Sequence, residues 1–290
     1  MSSQETQLPT ILFTPGAWHR PWVFDLVRED LAGRGYPTAA AALASVGSTD
    51  ADVGLDRDVE AVRAVLRGLV DAGRDVVVVA HSYGGIPVAN AVRGLNYKDR
   101  AAEGQSGGVI MVVYMASFAI PAGDSLFSDG KEMPSWLSLT VGGSPNPQPP
   151  AKGGNCVQKS VGGLADSYNP LSTQQDGFVL PRDPIPIFYA DVEPSLAAKA
   201  VAALLPQPLK TVQDTSGFEP WNEGFEMGYV FAEDDQAISL DRQIDMSSQF
   251  PASSFTATLT ASHSPFLSMP EALGKVLQQA AEVAVARRAT

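Results

Sequence analysis

The chain has 290 residues, 20 basic and 32 acidic side chains for a net charge of −12, one cysteine and three histidines. Its 44% hydrophobic and 18% charged content supplies ample core and excludes a disordered chain, while the lone Cys156 excludes a disulfide scaffold. The acidic balance, without any Lys/Arg cluster, argues against nucleic acid and anionic membranes as partners, and no H-x-x-x-H or C-x-x-C pairing marks a metal site.

Thr10 to Thr14 is a short apolar run ending at Pro15-Gly16, the pattern of a buried strand and loop. Pro21 to Ala32 reads as an amphipathic helix, and Tyr36 to Leu43 as an alanine-rich strand. Leu55, Val59, Val62, Leu66, Leu69 and Val70 step by three or four along a helix that Gly73 ends. Asp75 to Ala80 is β-branched without alternation, which predicts a strand buried on both faces of a parallel sheet. Gly84 to Val92 reads as a helix and Val109 to Ala116 as the next buried strand. Strand and helix thus alternate, predicting a doubly wound, mostly parallel α/β fold.

The rhythm breaks between residues 120 and 218, where a Gly/Pro-rich tract, Val141 to Gly154, interrupts scattered helix signals. So long an irregular stretch predicts a cap or lid inserted into a core formed by residues 1–119 and 219–290. Within it, Pro186 to Asp191 reads as a short strand and Pro194 to Leu205 as a helix. The core pattern resumes at Gly228 to Ala232, continues with Ser254 to Leu259 as a last strand, and closes on a helix over Pro270 to Ala286. The first seven residues lack the basic and apolar regions of a secretory signal, and no apolar run approaches the ~20 residues of a membrane span. A soluble cytoplasmic protein is expected.

Chemistry concentrates in Val79-Ala80-His81-Ser82-Tyr83-Gly84-Gly85, a serine between a buried strand and a glycine-started helix. That context predicts a nucleophile elbow, a turn so sharp that the positions two before and two after the serine must be small. Gly84 meets the demand, and Ala80 meets it with one extra methyl. The loop Phe13 to His19 contains the small Gly16-Ala17 pair, so the backbone N–H groups of Ala17 and Tyr83 are the candidate oxyanion donors. Of the three histidines, His81 lies inside the elbow and should point away from the Ser82 hydroxyl. His19 braces the oxyanion loop or lines the pocket. His263 therefore remains as the base, oriented by a carboxylate from Glu233-Asp234-Asp235, with Asp235 first and Asp234 second.

Four segments carry a resemblance: Pro15 to His19, His81 to Gly85, Glu233 to Ile238 and His263 to Leu267. Together they resemble the α/β-hydrolase group that includes plant methylesterases and hydroxynitrile lyases, in its fungal and bacterial esterase-like branch. The resemblance spans nearly the whole chain and is weakest over residues 120–185. It implies the order Ser82, Asp235, His263 for a catalytic triad and selects Asp235 over Asp234. Pro15, where plant members carry histidine, and Ala80 depart from the pattern without removing a catalytic group.

The implied activity is nucleophilic acyl transfer on a small or medium apolar ester or lactone, with secondary metabolism as the setting the analogy suggests. No cofactor and no metal are expected. The expected partner is a small-molecule substrate, with a homodimer left open. Trp18, His19, Trp22, Phe127, Trp136 and Phe266 are candidates for lining the substrate pocket. Two other readings stand beside this one: carbon–carbon lyase chemistry with the same triad, and a non-catalytic ligand receptor. Ser264 weighs against the first, because hydroxynitrile lyases of this group carry lysine directly after the catalytic histidine.

Overall fold

The computed structural model describes residues 7–127, 134–140 and 177–288, with the side chains of residues 139 and 140 set aside. The chain begins with β1 (Thr10–Thr14), a 3-10 turn at Pro21–Phe24, α1 (Asp25–Gly33), β2 (Thr38–Ala40), α2 (Leu55–Asp71) and β3 (Asp75–His81). It continues through α3 (Gly85–Ala91), α4 (Tyr97–Ala102) and β4 (Gly108–Met115). Next come β5 (Leu137–Thr140), β6 (Phe178–Pro181), α5 (Pro184–Phe188), α6 (Pro194–Ala202), β7 (Gln207–Pro208) and α7 (Lys210–Gln213). The last elements are β8 (Met227–Ala232), α8 (Leu240–Ser247), β9 (Phe255–Leu259), α9 (Pro265–Ser268) and α10 (Pro270–Arg288).

Six strands form one parallel sheet in the order β2-β1-β3-β4-β8-β9. Val76, Val77, Val78 and Val79 at its centre are fully buried, as a run without alternation requires when helices cover both faces. The order reverses direction after β2. Right-handed crossovers therefore put α1 on one face and α2 and α3 on the other. Contacts agree, since α1 packs on α10 and α2 packs on α3. Reversal of the strand order is also what opens a crevice at the carboxyl ends of β1 and β3, the place where such sheets bind ligands.

Three segments differ from their sequence pattern. Pro186 to Asp191 is not a strand: residues 184–188 form α5, whose Pro184 and Pro186 sit in the first turn, where their missing N–H groups cost nothing. The strand expected over 36–43 shrinks to Thr38–Ala40 at the sheet edge, because its alanines offer little side chain to pack. The helix expected from Pro21 starts as the 3-10 turn and becomes α-helical only at Asp25.

Inside the inserted stretch, β5, β6 and β7 pair antiparallel into a separate three-stranded sheet, in the order β5-β6-β7. Helix α6 is capped by the Glu193 carboxylate, which accepts from the N–H groups of Ser195 and Leu196. The Gly/Pro-rich tract 141–154 lies outside the described residues. Among those described, no helix is long and apolar enough to cross a membrane.

Candidate active site

At the end of β3 the chain turns through Ser82 with φ +52°, in the left-handed region that costs a residue with a Cβ about 1 kcal/mol or more. Neighbours hold it there. The Ser82 carbonyl accepts from Phe118 N–H at 3.1 Å and from Ser117 Oγ at 2.7 Å. The turn then brings Gly84 so close to the β1 loop that a Cβ would lie 2.5 Å from the Pro15 carbonyl oxygen; one on Gly85 would collide with Phe118 O. From the opposite side, a Cβ on Gly16 would lie 2.7 Å from Ser82 Cβ. Gly16 and Gly84 thus mark where the β1 loop and the elbow meet, Gly85 where the elbow meets the segment after β4, and the first meeting brings Ala17 and Tyr83 to one cavity wall beside Ser82.

His263 arrives on the loop between β9 and α9. Its Nδ1 donates to Asp235 Oδ2 at 2.7 Å, which leaves Nε2 for the cavity that both His263 and Ser82 line. Both His263 and Asp235 are buried. Asp235 follows β8, and its Oδ1 accepts from the N–H groups of Ala237 at 2.7 Å and Ile238 at 2.9 Å. Glu233 and Asp234 point to solvent instead, so a single carboxylate of the acidic turn reaches the imidazole.

Gln243 was missed by sequence reasoning. It is fully buried on α8, exchanges hydrogen bonds with both backbone groups of Ala232, donates to Ile238 O at 2.7 Å and reaches Asp235 Oδ2 at 3.4 Å. A polar residue in register with Met246, on the face of α8 that is buried, was the available signal.

The other two histidines support the first. His81 Nε2 donates to the His263 carbonyl at 2.9 Å, and its ring lies 4.6 Å from the His263 ring and 4.8 Å from Phe266. His19 Nδ1 donates to Ala17 O at 2.6 Å while its Nε2 accepts from the Tyr189 hydroxyl at 2.6 Å. Burial lowers the pKa of His19 to about 4 and, with the nearby His263, holds His81 well below the usual imidazole value. Both rings are therefore neutral at pH 7, and no cationic histidine opposes a positive charge on His263.

The cavity encloses about 550 Å³. Trp18, Phe127, Trp136 and Phe188 form much of its wall, and Gln236, Ser239 and Arg242 make a polar edge. His19, Trp22 and Phe266 do not line it. His19 is bonded to the Ala17 carbonyl and the Tyr189 hydroxyl, Trp22 lies under the Lys199 ammonium at 4.7 Å, and Phe266 is fully buried between Phe24 and His81. An aromatic residue near a motif in sequence serves the core as readily as the pocket, and here half of the six do. Among the described residues, no three His, Cys, Asp or Glu side chains gather as a metal-binding group.

The alpha/beta hydrolase family model matches residues 11–276. An alpha/beta hydrolase of Aspergillus novofumigatus, nvfD, is 28% identical over 277 residues, covering 96% of this chain and 98% of that protein. Among solved structures, the methylesterase MES16 from Arabidopsis superposes with a TM-score of 0.69 at 19% identity, covering 95% of this chain and all of that one. A pyrethroid hydrolase from Sphingobium faniae gives 0.63 at 19% identity, over 94% and 97% of the two chains. With the family matched over nearly its whole length and the parallel sheet, elbow and inserted segment in place, the chain belongs to the alpha/beta hydrolase family and is a hydrolase.

Proposed function

We propose that the protein is a serine hydrolase of small or medium apolar esters or lactones, acting through an acyl-enzyme. The observation that carries this is Ser82, strained into a left-handed elbow on the wall of a largely apolar cavity that it shares with a buried His263 paired to Asp235. A cavity of this volume and lining suits a compact organic molecule, and an esterase and a pyrethroid hydrolase among proteins of the same fold support an ester as substrate.

Ser82 Oγ attacks the carbonyl carbon as His263 Nε2 takes its proton, and Asp235 stabilises the imidazolium. The tetrahedral oxyanion sits between the N–H groups of Ala17 and Tyr83, an arrangement whose single donors are worth on the order of 10²-fold in turnover. His263 then returns the proton to the leaving alcohol. Water, activated by the same imidazole, frees the acid and restores Ser82.

The test is a fluorophosphonate probe on the wild type and Ser82→Ala, with both run over a panel of p-nitrophenyl esters and lactones. Labelling of the wild type alone, with turnover of at least one panel member that Ser82→Ala loses, is expected. No labelling and no turnover would overturn the reading. Cleavage of carbonyl adducts without an acyl-enzyme would replace it with a lyase, and saturable binding without turnover with a receptor.

A further inference from the structure

Behind the two candidate oxyanion donors lies a buried carboxylate that the chemistry above does not use. Asp58, in the first turn of α2, is fully buried and lies on that helix's buried stripe with Leu55, Val62, Leu66 and Val70. It accepts three hydrogen bonds: from Ser45 N–H at 2.8 Å, from Ser45 Oγ at 2.6 Å and from the Tyr83 hydroxyl at 2.8 Å. Among the described residues no Lys, Arg or His forms an ion pair with it. Burying a carboxylate without a cation is costly, so its three donors are what make the position tolerable.

Those donors lead to both halves of the oxyanion site. One path is direct, since Tyr83 carries the N–H on the elbow side and its ring is anchored through its hydroxyl to Asp58. The other runs through Ser45 Oγ, which accepts from Gln207 Nε2 at 2.9 Å, and Gln207 Oε1 accepts from Trp18 N–H at 3.3 Å. Trp18 follows Ala17 and is itself left-handed, with φ +65°. The Ala17–Trp18 peptide is thus held at both ends, its N–H by Gln207 and its C=O by the His19 Nδ1–H.

We infer that Asp58 is a positioning residue for oxyanion stabilisation, a single buried carboxylate that fixes the Tyr83 and the Ala17–Trp18 backbones against each other. It does not line the cavity. Its effect is to keep two N–H groups from separate loops, one after β1 and one after β3, at the spacing a tetrahedral oxyanion needs. Misplacement of such donors by a fraction of an ångström acts on the transition state more than on substrate binding.

The inference rests on the serine hydrolase reading, and the experiment separates the two. Asp58→Asn keeps the shape but turns the oxygen facing two hydroxyl donors into an N–H₂ group. With a p-nitrophenyl ester that the wild type cleaves, kcat of Asp58→Asn should fall by about tenfold or more while KM changes less than about threefold. Inhibition by a trifluoromethyl ketone, which forms an oxyanion on Ser82, should weaken by the same factor as kcat/KM. Binding of the matching methyl ketone should not. Tyr83→Phe and Gln207→Met should each give a smaller loss of the same kind, and adding Tyr83→Phe to Asp58→Asn should add little, because both cut one network.

A folded Asp58→Asn with wild-type kcat and ketone inhibition overturns the inference, as does a loss confined to KM. Should Asp58→Asn fail to fold, unchanged kcat and ketone inhibition in both Tyr83→Phe and Gln207→Met overturn it equally. A wild type with neither turnover nor probe labelling refutes the hydrolase reading instead.

Discussion

The six-stranded sheet and the small antiparallel sheet of the inserted segment hold the same cavity by different means. In the first, main-chain ladders and a run of fully buried valines carry β3 to the elbow, and three glycines let the backbones meet. In the second, single hydrogen bonds, from backbone and side chains alike, tie the segment to the core. Val179 O accepts the Trp18 indole N–H at 2.8 Å, Leu205 N–H donates to Trp18 O at 3.1 Å, and the Tyr189 hydroxyl donates to His19. Asp191 accepts from the backbone N–H and the hydroxyl of Ser262, the residue before His263. The difference teaches a division of labour: the parallel sheet fixes where Ser82 stands, and the inserted segment tunes the loops that face it.

This division is open to attack from each side. The largest effect is expected for Asp235→Asn, which leaves the fold intact but removes the acceptor that sets the His263 tautomer. Its kcat should fall by about 10³- to 10⁴-fold with little change in melting temperature. Gly84→Ala comes next and breaks the elbow rather than the chemistry. Its Cβ meets a backbone carbonyl that cannot swing away, so a loss of about 2–3 kcal/mol and a Tm lower by about 3–5 °C are expected in a thermal melt.

Acid comes third. His19 and His81 are neutral when folded, with pKa values below those of the unfolded chain, so below about pH 6.5 the unfolded state binds more protons and stability falls toward pH 4. Melting curves between pH 7 and 5 should show that fall, and His19→Gln should flatten it; an unchanged slope would remove His19 from the account. Tyr189→Phe, a change in the inserted segment, should be mildest. Leaving His19 Nε2 without its donor costs about 1–2 kcal/mol, with kcat reduced no more than several-fold.

Legibility in the sequence followed the same boundary. Runs such as Val76–Val79 and the Ser82-Tyr83-Gly84-Gly85 turn reveal themselves locally, because parallel strands and elbows impose their residue types on consecutive positions. The inserted segment does not work that way. Strand β6 is four residues whose partners lie some 40 residues before and 30 after, so no local pattern announces it. Asp58 and Gln207 escaped notice for a related reason: each is a polar residue whose burial depends on partners far away in the chain. Asp58 left a trace at the i and i+4 spacing of the α2 stripe with Val62, where a carboxylate breaks an otherwise apolar row, as Gln243 did beside Met246 on α8.

The central claim is that Ser82 carries the acyl group. Rapid mixing with a p-nitrophenyl ester, followed by acid quench, intact mass and peptide mapping, reads this directly. The account predicts a burst of one p-nitrophenol per chain and an acyl adduct on Ser82, both absent in Ser82→Ala. Turnover retained by Ser82→Ala, or an adduct on any other residue, would contradict it.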